Sequence, residues 1–277
     1  MNAYFLGHNG LGDNLYSIGA LRYLSRFYEK IYFLCKDKNL SNIELLFSDT
    51  DKIVCVPFGS DNEFNNCKNI IMNKYQNNDV FICGECHKDY LRSKITNQDL
   101  LKERLPENKY TLDYDMINSD NYGFLEQFYL DINLNLTIFF DYWKIPETMQ
   151  SKQLYDSVKK YEIIFLQTKC STGYSLSIQG LLDKYLHNKK TILISNDENL
   201  YNSVDEKIDH IQDKKKLCDQ FINNKFTYYL DTIINSKEIY IIDSCFVGII
   251  LPLKKKNILK ADIVRIIKRK LSHTIEL

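Results

Sequence analysis

At 277 residues the chain is long enough for two domains of roughly 130–150 residues, each with its own core. Hydrophobic residues at 44% and charged residues at 26% are ordinary for a globular protein. Thirty-six Lys and Arg balance thirty-six Asp and Glu, so no global field draws nucleic acid or an anionic membrane, which argues against a nucleic-acid binder.

The opening residues, Met1-Asn2-Ala3-Tyr4-Phe5-Leu6, carry no basic segment, and their apolar run stops at Gly7, so they read as neither signal peptide nor membrane anchor. Residues 3–6 predict a short strand, followed by a glycine-rich turn over 7–12. Leu15, Ile18, Leu21, Leu24 and Phe27 recur at helical spacing and predict one amphipathic helix ending near Glu29. A strand at 31–35, a short helix at 41–47, a strand at 52–56 closed by Pro57 and a strand at 80–83 complete a β-α-β-α-β rhythm, the signature of a parallel, doubly wound sheet. Residues 122–135 are expected near a domain junction, and 141–153, with Pro146, is the linker candidate. This places one domain at 1–150 and a second at 151–277.

The second half repeats the rhythm with strands at 163–167, 191–195 and 238–242 and a helix at 226–235. Near the end, Ile263, Ile266, Ile267 and Leu271 share a helical face beside Lys268, Arg269 and Lys270. Such a last helix packs back on the first domain or, as a second reading, touches a membrane peripherally. No apolar stretch approaches the ~20 residues of a spanning helix; the longest, 239–253, is broken by Asp243, Ser244 and Pro252. Eight cysteines without an export signal read as free thiols in a reducing compartment, which points to the cytoplasm.

Three motifs have spacings that fit more than one chemistry. Cys83-Gly84-Glu85-Cys86-His87 has the spacing of a haem-attachment site, but that chemistry needs export; Glu85 and His87 are read instead as acceptor contacts on a cleft-facing loop. Asp113-Tyr114-Asp115 has the form of a metal–diphosphate motif but follows no apolar strand, and reads as a solvated loop. Gly7, Gly10 and Gly12 depart from the dinucleotide fingerprint, since Leu15 stands at the third glycine position, so a nicotinamide-dependent oxidoreductase is a weak alternative.

Asp13 opens the helix after the glycine turn. A carboxylate there is ordinary helix-end chemistry, yet at the mouth of a cleft it can also take a proton from an attacking hydroxyl. Gly12-Asp13-Asn14-Leu15, with Gly19-Ala20-Leu21 following, resembles the G-D-x-L…A-L segment that opens the lipopolysaccharide heptosyltransferases, over about 25 residues. The resemblance implies a GT-B fold, two doubly wound Rossmann-like α/β domains facing across a cleft. It also implies a glycosyltransferase in which Asp13 is the catalytic base, with His8, Asn9, Gly10, Gly12 and Asn14 on the acceptor side.

The donor would then bind at the strand ends of the second domain. Gln167, Thr168, Lys169 and Ser171 follow the first strand, with their hydroxyls, amides and the Lys169 amine suited to a diphosphate. Ser195, Asn196, Asp197 and Glu198 follow the next, where an acidic residue suits ribose hydroxyls. Asp243, Ser244 and Cys245 follow the last and begin a helix. The family pattern at this last point is D-T-G-x-x-H, from which the chain departs at Cys245 and Gly248, an argument against heptose as the sugar. The expected partners are a nucleotide sugar and a glycan or glycolipid acceptor, with inversion at the anomeric carbon, no cofactor and no obligatory metal. The alternative is a non-catalytic binding protein of the same fold.

Overall fold

The computed structural model describes residues 1–7, 10–74, 77–83, 120–171, 173–204, 209–267 and 274–276. The chain forms two compact units, Met1–Pro146 and Glu147–Leu277.

In the first unit, β1 (Ala3–Leu6) is followed by α1 (Leu11–Tyr16), α2 (Ile18–Leu24), β2 (Ile31–Lys36), α3 (Leu40–Leu46), β3 (Ile53–Phe58), α4 (Glu63–Lys74) and β4 (Asp79–Ile82). Two further helices, α5 (Asp120–Leu130) and α6 (Thr137–Tyr142), end the unit. The sheet order is β3-β2-β1-β4, all parallel. Both faces are covered, so the strands are apolar throughout rather than alternating. Tyr4, Leu6, Leu34 and Ile82 pack with Cys67 and Ile71 of α4 on one face. On the other, the fully buried rings of Phe5, Phe33 and Phe81 meet edge-on or stacked, each contributing about 2–3 kcal/mol by leaving water.

The single helix expected over 15–27 is two. The chain breaks at Ser17, and the hydroxyl of Tyr129 on α5 fills the break: it accepts from the Ala20 N–H (3.1 Å) and donates to the Tyr16 carbonyl (2.8 Å). Apolar spacing cannot reveal this, because the partner lies 109 residues away from Ala20. At Gly19, α2 lies against the backbone of α6, where a Cβ would come within 2.6 Å of the Ile138 oxygen and the Phe139 Cα. Pro57 lies inside β3 instead of closing it, which is tolerated because β3 is an edge strand. The polar helix α4, absent from the expectations, is held to the sheet by its few buried positions, Cys67 and Ile71. The segment expected to be a linker contains α6 residues and the start of the next helix, with extended chain only between them.

The second unit runs α7 (Met149–Val158), β5 (Glu162–Gln167), β6 (Ser175–Ser177), α8 (Gln179–Tyr185), β7 (Thr191–Ser195), α9 (Asp209–Asp219), α10 (Leu230–Ile234), β8 (Glu238–Ile242), α11 (Val247–Lys255), β9 (Ile263–Ile267) and β10 (Thr274–Glu276). Its main sheet has the order β7-β5-β8-β9, again parallel, while β10 pairs with β6. The expected helix over 226–235 is a 3-10 turn, Phe226–Tyr229, leading into α10. Phe165, Tyr229 and Phe246 form a buried aromatic cluster beneath the start of α11.

A second correction concerns 263–271, expected as a helix packing back on the first domain. Residues Ile263–Ile267 are instead the edge strand β9, in register with Glu238–Ile242. Ile263, Val264, Ile266 and Ile267 are β-branched, which favours the strand once β8 offers an unpaired edge. Residues 268–273 lie outside the described residues.

Removing the Tyr129 hydroxyl would leave the Tyr16 carbonyl and the Ala20 N–H without that partner in the core. Tyr129→Phe is expected to lower stability by about 1–3 kcal/mol, read as a lower urea midpoint with an unchanged slope.

Candidate functional site

In an open parallel sheet, the crevice for a ligand lies beyond the carboxyl ends of the strands, where the strand order reverses. In the first sheet that point falls between β1 and β4, and in the second between β5 and β8. The loops leaving these strands carry most of the residues singled out from the sequence.

In the first unit, Gly10, Gly12, Asp13 and Asn14 lie together between β1 and the first turn of α1. Gly10 is the N-cap, and the Asp13 carboxylate turns back to accept its N–H at 3.0 Å. The geometry requires glycine at position 10: a Cβ there would lie 2.4 Å from Asp13 Oδ2. The start of α1 is thus already served by a carboxylate, which disfavours a pyrophosphate at this turn and so the oxidoreductase alternative. Asn14 is buried, and its Nδ2 has no hydrogen-bond partner among the described residues. Cys83, at the end of β4, is buried, with its sulfur 3.8 Å from the Leu6 carbonyl. His8, Asn9, Glu85 and His87, together with Asp113 and Asp115, lie outside the described residues.

In the second unit, the three predicted loops converge. Asp197, after β7, accepts the N–H groups of Thr168 (2.9 Å) and Lys169 (2.8 Å) after β5, and the hydroxyls of Thr168 (2.7 Å) and Ser195 (2.6 Å). A carboxylate offers about four acceptor positions, so the Asp197 lone pairs are filled by the protein. This differs from the expectation that Asp197 would receive ribose hydroxyls and that the 168–169 amides would face a diphosphate. Asp197 acts as a strut between the ends of β5 and β7.

Glu198, the last residue of the expected 195–198 donor loop, completes the cluster. Its carboxylate lies 2.8 Å from Thr168 Oγ1, whose single proton it shares with Asp197, and pairs with Lys169 Nζ at 2.6 Å. Burial pushes the Glu198 carboxyl up, but the Lys169 and Thr168 hydrogen bonds outweigh it and hold it below the ordinary range. Lys169 is raised, chiefly by the same bond to Glu198. Both side chains are more than a third exposed, at 55% and 38%, so the pair is a surface pair that separates at a cost of under about 1 kcal/mol. The signal for Glu198 was present in the sequence as an acidic neighbour of Asp197; only the fold aims it at Lys169.

Across the switch point, Gln167 Nε2 donates to Cys245 Sγ at 3.3 Å, joining the end of β5 to the entry of α11. Gln167 is 2% exposed, and its Oε1 has no hydrogen-bond partner among the described residues. Burial pushes the Cys245 thiol up. Ser244 Oγ lies 3.7 Å from the same sulfur, and the Asp243 N–H is tied to the Ile267 carbonyl of β9. Asn196 lies between Ser195 and Asp197, its Oδ1 buried and without a partner among the described residues. Ser171 is the one predicted donor residue outside this cluster: it lies exposed in a turn closed by Gly173 N–H to the Cys170 carbonyl, with Gly173 at φ +85°.

The linkage sign for the Lys169–Glu198 pair is set by these shifts. A lowered carboxyl stabilises the fold above its ordinary value of 4.5 and loses that contribution as the pH falls through the lowered value. A raised lysine contributes below 10.5 and loses it as the pH rises through the raised value. Glu198→Gln is therefore expected to flatten the fall of the thermal midpoint on acidification below about 4.5, measured by calorimetry against the parent chain.

The sequence matches no family model and no curated protein. Its structure is similar to that of the glycosyl transferase family 9 protein from Veillonella parvula, with a TM-score of 0.54 and 11% identity, covering 100% of this chain and 85% of that one. It is also similar to E. coli ADP-heptose lps heptosyltransferase II, with a TM-score of 0.53 and 10% identity, covering 99% of this chain and 92% of that one. The chain therefore has the α/β fold, built on parallel sheets, of the GT-B glycosyltransferases.

Proposed function

We propose that the chain is a glycosyltransferase that takes a sugar from a nucleotide-sugar donor at the β5/β8 switch point and passes it to a hydroxyl of a glycan or lipid-linked acceptor. The observation that carries the reading is the convergence of the three donor loops at one strand edge, in a fold similar along its whole length to two glycosyltransferases. One of those is named for ADP-heptose, which supports a nucleotide-sugar donor here. Fold likeness at this identity leaves the sugar open.

In this reading the donor diphosphate lies at the entry of α11, where Ser244 and Cys245 precede a nine-residue helix whose dipole favours negative charge. Lys169 leaves Glu198 to meet the diphosphate, a move that the weak surface pair permits. Gln167, buried with an unspent amide oxygen, takes a donor hydrogen from the ligand. Asp197 keeps its bonds and holds the β5 loop in place. Asp13, oriented by the Gly10 N–H, takes the proton of the acceptor hydroxyl as its oxygen attacks the anomeric carbon. The carbon–phosphate-oxygen bond breaks on the opposite face, which inverts the centre, and the leaving nucleoside diphosphate is stabilised without an obligatory metal.

A non-catalytic nucleotide-sugar-binding protein is the second reading, favoured by Cys245 and Gly248 where the heptosyltransferase pattern has glycine and histidine. Calorimetric titration with UDP-, GDP-, ADP-, CMP- and dTDP-sugars, followed by a transfer assay on the donor that binds, separates the two. Binding without turnover favours the second reading; absence of any binding defeats both.

Asp13→Asn is expected to leave donor affinity within two-fold and to lower kcat by roughly 10²–10⁴-fold, the usual worth of a general base. Gly10→Ala, which crowds the same carboxylate, should act in the same direction. Unchanged turnover in Asp13→Asn would remove Asp13 from the mechanism.

A further inference from the structure

The end of the second sheet opposite the candidate donor site is rich in lysine. Each strand of that sheet is entered through a lysine: Lys160 lies before β5, Lys190 before β7, Lys237 before β8 and Lys260 before β9. Their level is set by the sheet itself, since the Glu162 N–H donates to the Lys190 carbonyl, the Lys237 N–H to the Ile163 carbonyl and the Asp262 N–H to the Lys237 carbonyl. At about 4.8 Å per strand, the four entries span an edge about 15 Å wide. Helix α11 runs back from the donor edge to this one and ends in Lys254 and Lys255, with Lys256 as its C-cap.

The first sheet supplies a contrast within the same chain. Its corresponding lysines, Lys30 and Lys52, are folded back on partners: Lys30 Nζ on Asp51 at 3.0 Å and Lys52 Nζ on the Ser25 carbonyl at 3.0 Å. In the second sheet, Lys237 meets Glu162 at 3.0 Å and Lys260 meets the Asn235 side chain at 2.6 Å. Lys189, Lys190, Lys254 and Lys255, however, have no side-chain hydrogen bond or ion pair among the described residues. Among the described residues, three acids share this end: Glu162 is paired with Lys237, Asp262 is exposed at the entry of β9, and Glu238 is buried, held by the hydroxyls of Tyr185 (2.6 Å) and Tyr240 (2.8 Å) and 3.9 Å from Lys184, so the lysines remain in excess.

An exposed apolar side chain follows the lysines that end α11. Asn257 takes the left-handed conformation (φ +55°) that ends α11, and Ile258 follows it at 41% exposure beside the Lys254–Lys256 run. The Ile258 N–H is tied to the Leu253 carbonyl at 2.9 Å, so the residue is held in place. From this arrangement we infer that the lysine-lined end of the second sheet is a docking surface for an anionic phospholipid membrane. The cations are lysines, compact charges suited to mobile headgroup phosphates, rather than arginines that read phosphodiesters and bases bidentately. A fixed apolar side chain among lysines is suited to the interface of a bilayer. Docking here leaves the opposite edge of the same sheet, with the candidate donor loops, open. The inference stands apart from the glycosyl-transfer reading.

The test is co-sedimentation of the full chain with phosphatidylcholine vesicles, with and without phosphatidylserine, over a salt series. Binding is expected only with phosphatidylserine and is expected to fall as salt rises. Each lysine charge removed should weaken it about five-fold, so Lys189→Glu/Lys190→Glu/Lys255→Glu should lower it by about a hundred-fold or more. Ile258→Ser should lower it several-fold without changing charge, and Lys38→Glu/Lys74→Glu on the first unit should leave it unchanged. The thermal midpoint of each variant checks its folding, and Ile258→Ser alone carries the test if the triple variant does not fold. Failure of the parent chain to bind phosphatidylserine vesicles overturns the inference. Equal loss in the Lys38/Lys74 variant, or capture of duplex DNA through the same lysines in place of vesicles, overturns it as well.

Discussion

Backbone polar groups that leave a sheet or a helix inside a protein must find partners, because each one stranded away from water costs about as much as a lost hydrogen bond. Both units meet this demand at the loops proposed to bind ligand, and both do so with single side chains. In the first, the Tyr129 hydroxyl serves the carbonyl and the N–H freed where α1 gives way to α2, and Asp13 serves the Gly10 N–H just before α1. In the second, Asp197 serves the N–H groups of Thr168 and Lys169 as β5 ends. The loop conformations at the two switch points rest on these few bonds.

This has a chemical consequence. A side chain whose acceptor positions are all filled by the protein is no longer free to bind a ligand, so polar residues of the same type divide into two roles. Asp197 is saturated, whereas its neighbour Glu198 is held by an exposed pair that a ligand can displace. The single Thr168 hydroxyl proton is spent between the Asp197 and Glu198 carboxylates, whereas Gln167, one residue earlier and buried, keeps an amide oxygen without a partner among the described residues. The acceptor and donor chemistry assigned to the loops follows from which atoms the fold has left unspent.

The two sheets also differ at their opposite ends. The first folds its entry lysines onto nearby oxygens; the second pairs Lys237 and Lys260 but leaves Lys190, and Lys189, Lys254 and Lys255 at the same end, without a side-chain hydrogen bond or ion pair among the described residues. The net charge of the whole chain is zero, so composition conceals this polarity. A balanced chain can still carry a local field, since screening confines each charge to about a Debye length.

Much of the fold was legible because strand signals are local. The apolar runs at 31–35, 163–167, 191–195 and 238–242 each became a strand within one residue at either end, and parallel pairing followed from their alternation with helices. The placement of Gln167, Thr168, Lys169, Ser195, Asp243, Ser244 and Cys245 at strand ends was legible for the same reason. What tertiary structure decided were the features whose cause lies far along the chain. Ser17 breaks a helix because Tyr129 reaches it, and residues 263–267 form a strand because β8 presents an open edge. Asp197 is a strut because four donors converge on it. Local pattern records what a residue prefers, whereas its hydrogen-bond partners are set by which distant segments the packed core brings beside it.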